Sequence, residues 1–200
     1  MHVDEIRRII AKPHEKLICA SGDHVLNPDV FDADALANAK PAAVLIGFIN
    51  RESTTHVLLT QRADALRNHS GQVAFPGGRL DAGETPLAAA LRETHEEVGI
   101  SPQHIEPFGA MPAYLSGTGY LIHPILAELS SDITLTLNPA EVSEAFEVPL
   151  AFLLDASNHQ TQSRVWNGQT RYFYAMPYHQ RYIWGVTAGI IRALYERLRI

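Results

Sequence analysis

"GRLDAGETPLAAALRETHEEVGI", residues 78–100, holds a charge pattern that any account of this chain must explain. Thr85 followed by Pro86 reads as a helix start: a side chain able to cap free N–H groups, then a residue with no N–H to lose. Gly99 closes the run, as glycine does after a last helical turn. Inside that helix Glu93, Glu96 and Glu97 follow closely, and like charges at neighbour spacing repel by roughly 0.2–0.5 kcal/mol per pair. At about 100° per residue, Leu87, Leu91, Thr94 and Val98 fall within about 60° and form the expected buried stripe. Glu93 and Glu97 lie roughly opposite, with Glu96 beside them. Ala88, Ala89 and Ala90 keep the helix slim.

Two readings of the acids stand at this point. They are a solvated face, or they await a cation. A solvated face usually mixes signs, yet residues 93–98 hold no Lys or Arg. The helix also begins beside "FPGG" (75–78), where bare backbone can approach a ligand. Carboxylates at i, i+3 and i+4 suit Mg²⁺ or Mn²⁺, which bind few carboxylates and keep positions for water and phosphates.

Working outward, "AAVLIGFI" (42–49) and "HVLLTQ" (56–61) are apolar runs split by polar residues and predict a hairpin. "QVAFPGG" (72–78) reads as a short strand ended by Pro-Gly-Gly. Further strands are expected at 107–113, 120–129, 133–137 and 170–175. The tail from Tyr182 reads as a helix with Val186, Ile190, Leu194 and Leu198 on one stripe, and Val3, Ile6, Ile9 and Ile10 mark a short first helix. Residues 19–40, rich in Asp, Asn, Ala and Pro, read as a connector. The 200 residues, with 46% hydrophobic content, fit a single mixed α/β or α+β domain.

A formal charge of −6 argues against nucleic acid as a partner. The single cysteine, Cys19, excludes an internal disulfide, fits a reducing compartment and is expected to be a small buried residue. No apolar run reaches the length of a membrane span, and "MHVDEIRRIIAK" (1–12) lacks a signal-peptide core. The expectation is a soluble, cytoplasmic protein with no membrane partner.

Residues 78–100 resemble the Nudix box: Gly, five residues, Glu, seven residues, Arg-Glu, an apolar residue, any residue, Glu-Glu, any residue, Gly, an apolar residue. Gly78, Glu84, Arg92, Glu93, Glu96, Glu97, Gly99 and Ile100 all fall on their places, and Thr94 alone departs, standing where an aliphatic residue is usual. The stretch "LLTQRADALRNHSGQVAFPGG" (58–78) resembles the extension that marks the coenzyme A-directed branch of Nudix hydrolases. "NPAEVSEAFEVPL" (138–150) and "WGVTAGIIRAL" (184–194) resemble that branch too. The likeness implies a Nudix fold, a mixed sheet sandwiched between helices, over 41–200. Residues 1–40 are an N-terminal helix and connector outside it.

The resemblance further implies Mg²⁺- or Mn²⁺-dependent hydrolysis of the diphosphate of coenzyme A or its thioesters to 3′,5′-ADP and 4′-phosphopantetheine or its acyl form. Glu93, Glu96 and Glu97 would be metal ligands, with Gly78 lending its carbonyl. Arg92 would orient a glutamate and pair with Glu84. Glu141 and Glu144 are the loop candidates for a general base. Arg62, Arg67, His69 and Gln72 would face the substrate, since an acidic protein needs a local basic patch to hold several phosphates. The alternatives are another nucleoside diphosphate, such as ADP-ribose or NADH, a nucleoside triphosphate, or a non-catalytic nucleotide-sensing module. Analogy suggests a homodimer.

Overall fold

The computed structural model describes residues 1–12, 21–28, 34–63, 71–166 and 168–199. Cys19, Arg67 and His69 lie outside these. In chain order the helices are α1 (Val3–Ile10), α2 (Pro86–Val98), α3 (Leu150–Leu153) and α4 (Val186–Leu198). The strands are β1 (Ser21–Gly22), β2 (Lys40–Arg51), β3 (Thr54–Arg62), β4 (Val73–Ala74), β5 (Gly77–Arg79), β6 (Ile105–Ala110), β7 (Tyr114–Leu115), β8 (Tyr120–Leu129), β9 (Val142–Pro149), β10 (Gln160–Trp166), β11 (Gln169–Tyr178) and β12 (Arg181–Trp184).

β2 is the spine. It pairs parallel with β8 along ten residues, from Lys40 opposite Tyr120 to Ile49 opposite Leu129. On its other side it pairs antiparallel with β3 and with β5. β9 and β4 extend the sheet beyond β3, and β6 and β7 pair with β8, giving one mixed nine-stranded sheet among the described residues. β10, β11 and β12 form a separate three-stranded antiparallel sheet.

Both faces of β2 are covered, which is why its sequence is a continuous apolar run and not an alternation. Ala42, Ile46 and Phe48 point into one core with Val57, Leu59, Leu126, Ile6 of α1 and Ile191 of α4. Ala43, Leu45 and Ile49 point the other way, against Ala89, Ala90 and Val98 of α2 and Leu58 of β3. Helices therefore flank the sheet on both sides, as the sequence predicts. α1 belongs to the first core: Val3, Ile6 and Ile9 are buried, and Arg197 of α4 donates to the carbonyl of Ile9 at 2.9 Å.

Two expected elements differ. The tail is not helical from Tyr182; β12 occupies Arg181–Trp184, and Gly185, at φ 62°, turns the chain into α4. Residues 133–137 form no strand. Their backbone goes elsewhere: the Thr136 N–H donates to the Val98 carbonyl and the Asn138 N–H to the Glu97 carbonyl, each at 2.9 Å. A helix end leaves such carbonyls without partners, and capping α2 took precedence over ladder pairing. Among the described residues no helix is long and apolar enough to cross a membrane.

Candidate active site

The ends of α2 are set locally. The Thr85 hydroxyl accepts from the Ala88 N–H at 3.2 Å, and Gly99 adopts the left-handed conformation, φ 75°, that ends the helix. The face it buries departs from expectation. Ala89, Ala90, Thr94, Glu97 and Val98 are buried, whereas Leu87 is 40% exposed. The buried arc is turned by roughly 65° from the leucine stripe toward the glutamates. Ala89 and Ala90 are the reason: two small side chains let this face lie close on β2 and carry Glu97 in with it. Thr94 fits without an unpaired group, its hydroxyl donating to the Ala90 carbonyl at 2.7 Å.

Burial of Glu97 has an electrostatic consequence. The residue is 2% exposed, and loss of water pushes its carboxyl up to about 7 from an ordinary 4.5. The Gly77 N–H, 3.2 Å from Oε2, and Arg62, whose Nη1 lies 3.7 Å from Oε1, pull the other way. Glu93 and Glu141 add to the rise. Glu93 is also raised, by burial first and against its bond to Arg92. β5 runs directly beneath Glu93: a Cβ at Gly78 would meet its carboxyl carbon at 2.4 Å, so any larger residue here would push the Glu93 carboxylate aside.

Arg92 organises the outer edge. Its Nε and Nη2 donate to the two Glu84 oxygens at 3.0 and 2.9 Å, and Nη1 donates to Glu93 at 2.9 Å and Glu96 at 3.1 Å. Nη2 also bonds the Arg79 carbonyl at 3.0 Å. The bonds to Arg92 hold Glu84 below the usual carboxylate range. Glu96 is therefore turned toward Arg92 on the exposed rim.

The two candidates for the base separate. One oxygen each from Glu93, Glu97 and Glu141 lie within 4.8 Å of one another. Glu144 does not join them; it pairs with Arg181 of β12, which stacks on the Phe146 ring. Glu144 lies within β9, which pairs with β3, whereas Glu141 sits in the turn just before that strand. A bulge completes the arrangement: Gln61 faces Glu144 but Arg62 faces Val142, leaving Ser143 as the extra residue. That shift lets the Ala63 N–H bond the Glu141 carbonyl at 2.8 Å, drawing Glu141 back along β3 to the level of Ala63. The Asn138 amide then donates to the Glu141 carboxylate at 3.1 Å. Gln72 lies on the facing segment, its carbonyl accepting from the Arg62 N–H at 3.0 Å.

The Gly77 N–H, the Asn138 amide and the Ser143 bulge are site features that residue-by-residue reading did not single out. "FPGG" was the only signal for the first, and nothing local announces the other two.

A family model described as the NUDIX domain matches residues 39–166. The chain belongs to the Nudix family. Two proteins named uncharacterized Nudix hydrolase NudL are similar to it. The one from Escherichia coli O7:K1 is 42% identical over 158 residues, covering 78% of this chain and 82% of the relative. The one from Photorhabdus laumondii is 41% identical over 164 residues, covering 82% and 87%. Among solved structures, the NUDIX domain of Shewanella oneidensis NrtR complexed with ADP ribose aligns with a TM-score of 0.51 at 19% identity, over 88% of this chain and 97% of that one. The MutT protein from Methanosarcina mazei Go1 aligns at 0.51 and 18%, over 80% and 91%. These two likenesses concern the fold.

As a Nudix hydrolase, the chain acts on diphosphate bonds, and the family uses divalent metal ions. The donor set fits such an ion. Three carboxylates converge, one of them buried and short of positive partners, and a hard dication removes both the repulsion and the penalty of ionising Glu97. α1 and α4 lie outside the matched Nudix segment and pack on each other.

Proposed function

We propose that this Nudix hydrolase cleaves the diphosphate of coenzyme A or its thioesters, releasing 3′,5′-ADP and 4′-phosphopantetheine or its acyl form, with Mg²⁺ or Mn²⁺ as cofactor. The observation that carries the reading is where the described ends of the segment 58–78, residues 58–63 and 71–78, lie. They bring Arg62 to Glu97, Gln72 to Arg62 and Gly78 to Glu93, so both ends of the stretch that resembles the coenzyme A branch border the carboxylate cluster.

In this reading Glu93, Glu97 and Glu141 would hold the cation, with Glu96 as a further carboxylate on the rim beside them. A bound dication supplies charge neutralisation and a water acidic enough to attack at neutral pH. Glu141, oriented by Asn138 and fixed by the bulge, takes the proton from the attacking water. Arg62 meets the diphosphate, for which a guanidinium fork is suited. Arg67 and His69 would add positive charge for the phosphates, and Gln72 would offer the substrate a neutral polar contact. No covalent intermediate is required.

A hydrolysis panel tests this: coenzyme A, acyl-coenzyme A, NADH, ADP-ribose and dGTP, each with Mg²⁺ and with Mn²⁺. The expected result is fastest turnover of a coenzyme A compound with 3′,5′-ADP released, and slower turnover of dephospho-coenzyme A. Preference for ADP-ribose or NADH would replace the substrate and keep the chemistry. No turnover of any diphosphate would leave a nucleotide-sensing module.

A further inference from the structure

We infer that Arg62 is the resident counter-ion of the carboxylate cluster: it stands at Glu97 in place of the divalent cation and leaves for the substrate diphosphate once the cation is bound. This rests on the cluster being a cation site.

Glu97 is the most buried of the three clustered acids. Among the described residues, its compensation is one backbone N–H and one ion pair, with Arg62. Arg92 cannot serve, because Glu84, Glu93, Glu96 and the Arg79 carbonyl already occupy its donors. The Arg62 pair, at 3.7 Å, is close enough for attraction but longer than an N–H···O bond of about 2.7–3.2 Å. It supplies charge without locking geometry.

The backbone beneath Arg62 is fixed on both sides. Its N–H donates to the Gln72 carbonyl, its carbonyl accepts from the Gly71 N–H, and the next N–H bonds Glu141. The side chain can therefore re-aim while its root stays still. A guanidinium and a dication beside the same carboxylate repel each other, so loading expels the arginine toward the nearest incoming anion. A free charge of this kind suits a site that must exist both empty and loaded.

The test is calorimetric titration of the metal-stripped full-length protein with Mn²⁺, on wild type, Arg62→Gln and Arg62→Lys. All three proteins are titrated at one pH, about 8.5, so that the comparison reads the charge at residue 62. Removing a positive charge about 4 Å from the ligand should tighten Mn²⁺ binding of Arg62→Gln by roughly five- to tenfold. Arg62→Lys, which keeps the charge, should stay near wild type in Mn²⁺ affinity while its KM for the diphosphate substrate rises. In EDTA, Arg62→Gln should melt below wild type, and the gap should close on adding Mn²⁺. Arg62→Gln binding Mn²⁺ no tighter than wild type, or melting with it in EDTA, would overturn the counter-ion role. Wild type binding no Mn²⁺ at all would overturn the cation site itself.

Discussion

Two arginines flank the carboxylates of α2, and they are held in opposite ways. Arg92 is bonded to three glutamates and a carbonyl, and every partner lies within residues 79–96. Arg62, among the described residues, makes one long ion pair and is placed by a bulge where β3 meets β9. The first region is rigid scaffolding written in consecutive sequence. The second is a junction of distant strands, and it supplies the charge free to move and the third carboxylate. A site that must grip a cation yet accept a diphosphate needs both.

The largest blow to this picture comes from the group both regions converge on. Glu97→Gln should lower kcat by about 10³-fold, as loss of a metal ligand does. In EDTA at alkaline pH the variant should melt above wild type, because a buried, poorly compensated carboxylate has gone. A loss below tenfold would break the assignment.

The next substitutions sharpen the contrast. Arg92→Ala leaves Glu84, Glu93 and Glu96 without their partner and should reduce kcat by about 10–100-fold with KM little changed, as expected for a group that orients ligands. Arg62→Ala should act mainly on KM. Equal kcat and KM profiles for the two would erase the distinction.

How legible was this in the chain? The Arg92 side was nearly complete: Thr85, Pro86 and Gly99 bound the helix as read, and Glu84 pairs with Arg92 at the expected spacing. The error there was one of angle. The leucine spacing points to a leucine stripe as the buried face, but Ala89 and Ala90 pack closer and rotate Glu97 into the core. The Arg62 side could not be read in the same way. Choosing Glu141 over Glu144 requires knowing that Glu144 meets Arg181 of β12 and where Ser143 interrupts the ladder, and a bulge has no local sequence signature. The apolar "ITLTL" (133–137) looked like a strand because capping of a helix by a distant segment also leaves no pattern.

A pH series probes the burial itself. Glu97 has a folded pKa of about 7 against an ordinary 4.5, so between those values the folded chain keeps a proton that the unfolded chain has released. This group's contribution to metal-free stability is thus full below about pH 4.5 and is lost as pH rises to about 7. Comparing EDTA melts of wild type and Glu97→Gln across that window should show the decline in wild type alone. Parallel curves would contradict the burial. Leu87→Gln should matter least, changing stability by about 0.5 kcal/mol or less in denaturant titrations, because the side chain is exposed. A loss of several times that size would restore the leucine stripe.

The central claim is that Glu93, Glu97 and Glu141, and not Glu144, form the cation site. Mn²⁺ titration of Glu141→Gln beside Glu144→Gln tests it most directly. The account predicts binding weakened by about tenfold or more in Glu141→Gln and unchanged in Glu144→Gln; equal effects, or the reverse order, would contradict it.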